Sequence, residues 1–364
     1  MRRALLLVLV LAACPRGNKG TKPLVEPPAA SEAEASRRRR LIAELQDEIL
    51  VSYERDELPE VETLLVDPAV GPARIGVGPG DVYLADEVGR LASSRWPLQI
   101  APGTATTVRS KRLRIHLAHD RQVSAAWISD ELSWRITLCN RTAVIPLRIT
   151  ALYAHDGDRW VQVFEHLSFG RMPQPTADGQ LRGKAIPEAV VDRDISDSLS
   201  RALNALISAE STRVKLSVAP GSTNDDDPMK PAPTFILGPD PEGEWEGGDV
   251  TSIRLVDGKL MLDRPRVGTL GRPDRATVAY WVGNLVADLR HHPGNPSSKV
   301  LLRGSFVFER RDEQWVIVQG HISQPIDDID LAQQIYGTAL LSDKPLAVTC
   351  DDGRVPSAPP VAGP

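Results

Sequence analysis

Little in this sequence points to a familiar chemistry. It has three cysteines, and none stands at the spacing that a zinc site requires. Lysine and arginine number 43 against 48 aspartate and glutamate, a net charge of −5. So mild a balance argues against a nucleic-acid binder built on a basic face, and against a polybasic membrane surface. The glycines of residues 75–88 precede no Lys-Ser/Thr pair and lack the dinucleotide-fingerprint spacing, which excludes a phosphate loop there. No metal site and no cofactor is expected. What is abundant is ordinary: 41% hydrophobic and 25% charged residues describe a globular chain, and 364 residues suffice for about two domains. Several of the thirty prolines fall in the first thirty and last twenty residues, so both ends read as linker or tail.

The N-terminus carries an address. Arg2 and Arg3 precede an apolar run, residues 5–11, too brief to span a bilayer as a mature helix. The run ends Leu11-Ala12-Ala13-Cys14, which resembles the lipobox of bacterial lipoproteins. That resemblance implies a signal peptide over 1–13, lipidation of Cys14, and stable attachment to the membrane through more than one acyl chain. It places the protein in the cell envelope, at the outer membrane by default because Pro15 replaces the aspartate that favours inner-membrane retention. Cys139 and Cys350 remain, either paired in an oxidising compartment or idle as thiols.

Residues 14–36 are rich in Pro, Ala, Gly, Lys and Glu and read as a flexible stalk. Arg37 to Arg40 then open a helix with apolar positions at Leu41, Ile42, Leu45, Ile49, Leu50 and Tyr53. The four arginines read either as an anionic-lipid patch or as a solvated first turn. A second amphipathic helix starts near Asp192 and uses Ile195, Leu199, Leu203, Leu206 and Ile207. The acidic run Asp225-Asp226-Asp227 reads as a solvated loop rather than a calcium site. A short terminal helix is expected over 327–336.

Between and after the helices the chain repeats itself. Residues 147–153 and 160–168 superpose on 302–308 and 315–323 without a gap: Leu147 on Leu302, Trp160 on Trp315, His166 on His321. The glycine-proline corner at Gly76, Pro79, Tyr83 and Val88 echoes Gly238, Pro241, Trp245 and Val250. Trp127 pairs with Trp281. Three anchors in one order make an internal duplication. Strict alternation places Trp160, Gln162, Phe164, His166 and Ser168 on one face of the last strand, with Val161, Val163, Glu165 and Leu167 opposite. Both faces are apolar enough to be buried, one by helix and one by a partner sheet.

This order of helix, aromatic corner and long antiparallel strands ending Trp-x5-His-x-Ser resembles the nuclear transport factor 2-like superfamily, in its SnoaL-like branch. The fold so implied is α+β: two cone-shaped domains, each a curved antiparallel sheet packed on helices. Their bounds are 37–172 and 192–338, with a linker over 173–191 and a C-terminal tail over 339–364. Such domains often pair through their sheets, so the two copies are expected to pair within one chain, and each is expected to fold alone.

Enzymes of that superfamily place proton-transfer groups inside the cone, so His166 with Ser168 and His321 with Ser323 are the weak catalytic candidates. No catalytic residue is assigned, because a complete dyad does not match residue by residue, and Asp130 and Glu131 find only Asn284 and Leu285 opposite them. The leading reading is a noncatalytic, membrane-tethered lipoprotein that binds a small apolar ligand or an envelope protein partner, and no nucleic acid. The alternatives are an isomerase, dehydratase or hydrolase using a pocket histidine, and a structural envelope protein whose cones are plugged by Trp160 or Trp315.

Overall fold

The computed structural model describes residues 29–55, 73–78, 80–84, 99–100, 105–120, 122–138, 141–156, 159–169, 185–207, 231–238, 244–246, 258–289, 298–325 and 341–342. Cys14, Cys139, Cys350, the acidic run at 225–227 and the expected helix at 327–336 lie outside them. Helix α1 spans Glu32–Arg55 and begins inside the stretch read as stalk. The reason is an N-cap: Ser31 Oγ accepts the Glu34 amide at 3.2 Å, so the helix starts at Ser31 and not at the arginines. Two of those arginines are engaged within the protein. Arg38 Nε donates to Glu34 at 2.8 Å, and its Nη1 reaches the carbonyls of Gln122 and Val123. Helix α2, Arg193–Ile207, starts where expected, with Asp192 Oδ1 accepting the Ile195 amide at 3.0 Å. No described helix is long and apolar enough to cross a membrane.

Two seven-stranded sheets follow one plan. In the first, the order is β2 (Val82–Leu84), β1 (Ala73–Ile75), β8 (Arg159–Phe169), β7 (Arg141–Asp156), β6 (Ala125–Leu138) and β4 (Ala105–Ser110), with β5 (Arg114–Leu117) also on β6. The second runs β11 (Glu244–Glu246), β10 (Phe235–Leu237), β15 (Gln314–Ser323), β14 (Ser298–Arg311), β13 (Val278–Leu289), β12 (Gly258–Thr269) and β9 (Ala189–Val190). In both, a short corner hairpin lies parallel to the last long strand: Ile75 stands beside His166, and Leu237 beside His321. Strand β9 and the buried Ile186 fall within the expected linker. Strand β16, Leu341–Ser342, falls in the expected tail and pairs with β3, Gln99–Ile100, of the first half. Elements thus run past three of the boundaries drawn from composition.

Register corrects two expectations. In β7–β8 the pairing jumps from Leu152↔Phe164 to Tyr153↔Gln162, leaving Val163 as an extra residue; β14–β15 jumps at the same place, leaving Val318. A bulge shifts the alternation by one. Trp160, Gln162, Glu165, Leu167 and Phe169 therefore share a face, and Phe164, His166 and Ser168 point the other way. The second correction concerns the tryptophans. Trp127 opposes Leu152, whose counterpart Val307 opposes Tyr280; Trp281 instead matches Ile128. Trp127 and Trp281 thus face opposite sides of their sheets.

The layers are helix, sheet, sheet, helix. One core joins α1 to the first sheet through Ile42, Ile49, Ile128, Ile149 and Leu167. Another joins α2 to the second through Leu199, Leu203, Trp281 and Phe306. A third lies between the sheets and draws on both: Trp127, Leu152 and Phe164 meet Tyr280, Val282 and Val307. As expected, β8 is buried on both faces beyond its first residue.

Candidate functional site

The duplicated histidines meet across the sheet–sheet core. Their rings stack with centroids 3.9 Å apart and planes 23° from parallel. His166 Nδ1 lies 2.9 Å from Ser305 Oγ and its Nε2 2.7 Å from Ser323 Oγ, both of the other half. His321 returns the pattern with Nδ1 3.0 Å from Thr150 Oγ1 and Nε2 2.8 Å from Ser168 Oγ. Reciprocal contacts of this kind are what a two-fold arrangement produces. The arginines beside them also cross over. Arg148 Nη1 donates to the Gly238 carbonyl at 3.3 Å, while Arg303 Nη1 donates to the Gly76, Gly78 and Asp81 carbonyls at 3.2, 2.8 and 3.3 Å. Burial, reinforced by neighbouring positive charge, pushes the His166 pKa well below the usual range and that of His321 to about 3. All four weak candidates are brought together, with every ring nitrogen engaged by a hydroxyl. Neutral, buried and fully bonded, they fasten the halves to each other.

Polar groups of a different kind sit on the helix-covered face of the first sheet. Glu165 accepts the Tyr53 hydroxyl at 2.6 Å and Gln162 Nε2 at 2.9 Å, and Arg74 Nη2 donates to Gln162 Oε1 at 3.3 Å. On β6 of the same face, Asp130 Oδ1 accepts from Ser110 Oγ at 2.9 Å and from the Arg112 amide at 3.3 Å. Those donors exist because the edge strand breaks between β4 and β5, which turns Arg112 N–H inward. Asp130 Oδ2 has no hydrogen-bond partner. Gln46, one turn before Leu50 on α1, comes near enough to favour the ionised Asp130, yet both its amide atoms lack a well-formed bond. Burial outweighs these donors and lifts the Asp130 pKa to about 6.

At the register-matched strand positions the second half lacks these polar groups. Register matches Asp130 with Gly283, Glu165 with Gly320, Arg74 with Ile236, Gln162 with Ile317 and Tyr153 with Phe308. Trp281 and Phe306 fold over the space so vacated, meeting edge to face at 5.7 Å. A Cβ on Gly283 would stand 2.7 Å from the Trp281 ring, and one on Gly304 or Gly320 would stand 2.9 Å from Phe306. The glycines are thus seats for two aromatic rings. The plug is Trp281 and Phe306, not the Trp315 that the structural alternative named. Asp130 was set aside in the sequence on a match one residue late, to Asn284 instead of Gly283, and the bulge hid the true face of Glu165. Glycines inside strands of one copy only were the available signal.

Residues 263–327 match the family of SnoaL-like domains. That stretch is β12 to β15, the framework carrying the plug and the histidine. A search of curated proteins finds no match. Solved structures of nuclear transport factor 2-like fold are similar to parts of the chain. The NTF2-like superfamily protein from Salmonella enterica shares 14% identity, with 40% of this chain and 99% of that one covered, at a TM-score of 0.31. The hexachlorocyclohexane dehydrochlorinase LinA-type3 from Novosphingobium barchaimii shares 12%, covering 43% and 100%, at 0.30. The association domain of C. elegans CaMKII shares 13%, covering 38% and 99%, at 0.27.

Proposed function

We propose that this chain is a noncatalytic, membrane-tethered envelope lipoprotein made of two paired SnoaL-like domains, of which only the first holds a small ligand. The observation that carries this reading is the asymmetry between halves sharing one topology. The first keeps buried, incompletely bonded polar groups beneath its helix; at the matched strand positions the second has glycine or hydrocarbon, and Trp281 and Phe306 fill the space. Sites that bind small molecules combine an apolar lining with a few convergent polar groups, and the first half has both. The second half then serves as the rigid mate that buries the outer face of the first sheet. The lipobox at Cys14 supports the tether, which would hold the binding half at a membrane surface.

The test uses the full chain purified from envelope membranes. Native mass spectrometry should detect one bound small molecule per chain, and Ile128→Trp, which places a ring where Trp281 stands in the second half, should abolish it. A bound species unaffected by that change would defeat the assignment to the first half. A second reading, proton transfer by an isomerase, dehydratase or hydrolase, is favoured by Asp130 alone, whose pKa near 6 suits general acid–base work. His166 and His321 take no part in it.

A further inference from the structure

We propose that Gln46 and Asp130 together form a recognition edge for an uncharged ligand that carries an adjacent donor and acceptor, such as a carboxamide or lactam, on an apolar body. This rests on the reading of the first half as the ligand-holding one and names what that half recognises. Gln46 is 0% exposed and Asp130 2% exposed, yet their only mutual contact is a loose one, and neither amide atom of Gln46 nor Asp130 Oδ2 makes a well-formed bond. Buried polar groups are nearly always satisfied, so unmet atoms on two facing elements mark a place where something polar docks. The atoms available are one amide N–H donor, one amide carbonyl and one carboxyl oxygen, which acts as acceptor when ionised and as donor when protonated.

An amide complements that set in either state of the acid. Around the edge stand Ile42, Ile49, Ile128, Leu132 and Ile149, which call for a hydrocarbon body. A charged ligand would be stripped of water among these residues, and an anion would also meet Asp130 and Glu165. Glu165 is not part of the edge, because Tyr53 and Gln162 already occupy its oxygens. Gly283, at the Asp130 position in the second half, leaves nothing there for a ligand to bond.

The experiment measures binding of benzamide and of its apolar isostere cumene to the full chain by ligand-observed NMR, with thermal melts alongside. Benzamide should bind about tenfold or more tightly than cumene, the worth of one or two hydrogen bonds. Gln46→Leu should erase that preference with little change in melting temperature, since the amide makes no well-formed bond in the free protein beyond its loose approach to Asp130. Equal binding of the two probes, with Gln46→Leu silent, overturns the recognition edge and leaves the ligand-holding half standing. If neither probe binds, a buried water satisfies these atoms and both readings fall. A Gln46→Leu protein that melts several degrees lower but binds benzamide unchanged makes Gln46 a structural residue and also overturns the proposal.

Discussion

His166 and His321 are held neutral where a proton would have no counter-ion, with Arg148 and Arg303 close by. An unfolded histidine titrates near pH 6.5 by the usual reference. The folded pair titrates far lower, so below that pH the unfolded chain binds more protons and stability falls as pH falls. Each histidine contributes roughly 1.4 kcal/mol per pH unit across that window. Urea midpoints should therefore drop between pH 7 and pH 5. The double variant His166→Gln, His321→Gln should start about 2–4 kcal/mol lower at pH 7, having lost packing and bonds, but show a much flatter profile. An unchanged slope in the variant would remove the pair as the source. Asp130 has the opposite sign. Its pKa is raised from 3.8 to about 6, so the folded state binds the extra proton and the ionised form is a burden at neutral pH. Asp130→Asn should stabilise the chain by about 1–3 kcal/mol at pH 7, with the gain shrinking toward pH 4, as chemical denaturation can show. The shared face of His166 and Ser168 was legible from alternation, because they lie beyond the bulge. Their meeting with His321 and Ser323 was not, since no local pattern encodes contact across 155 residues. Asp130 was misplaced because the second copy is two residues longer between its matched anchors there, and one strand slip reverses a side chain.

At the scale of elements, the turns between strands hold the positive-φ residues Val123, Asp312 and Glu313. Strands β14 and β15 turn through Asp312 and Glu313, both in the left-handed region at φ 46° and 64°. A two-residue turn of that form matches the twist of the strands but favours Asn-Gly. Glu313→Gly should relieve the strain and stabilise by about 0.5–1 kcal/mol, less whatever the Arg310–Glu313 ion pair contributes. That exposed pair is a small term. A melting temperature that falls would show that the pair, not the backbone, governs this turn. The helices were legible in their apolar stripes. The start of the second was legible too, near Asp192, whereas that of the first was missed because Ser31 caps it and the charge cluster at 37–40 draws the eye downstream. The paired bulges at Val163 and Val318 carry no compositional mark and were invisible, though they decide which residues see helix and which see the other sheet.

For the molecule as a whole, the expectation that each half folds alone meets the core between the sheets. Separated, the first half would expose Trp127, Leu152 and Phe164, and the second Tyr280, Val282 and Val307, now fully buried. Each would also leave a histidine and an arginine without the partners they find only across the interface. Single groups orphaned in this way cost about 1–3 kcal/mol each, and a buried aromatic face costs more, against a total stability of about 5–15 kcal/mol. Fragments covering 29–172 and 185–342 should therefore fail to melt cooperatively on their own and recover a cooperative transition when mixed, by circular dichroism. Cooperative melting of either alone would show that the histidine interlock only docks finished domains. The filled second cone sharpens this expectation. Trp281 and Phe306 make that half the better packed, so it should be the more structured fragment, and the first, with its unmet polar groups, the less. Such an order fits the proposal that only the first half keeps a binding interior. Truncating the plug by Trp281→Ala should then lower whole-chain stability by about 3–5 kcal/mol. The matching change in the first half, Ile128→Ala, should cost less, because its surroundings are already imperfectly filled.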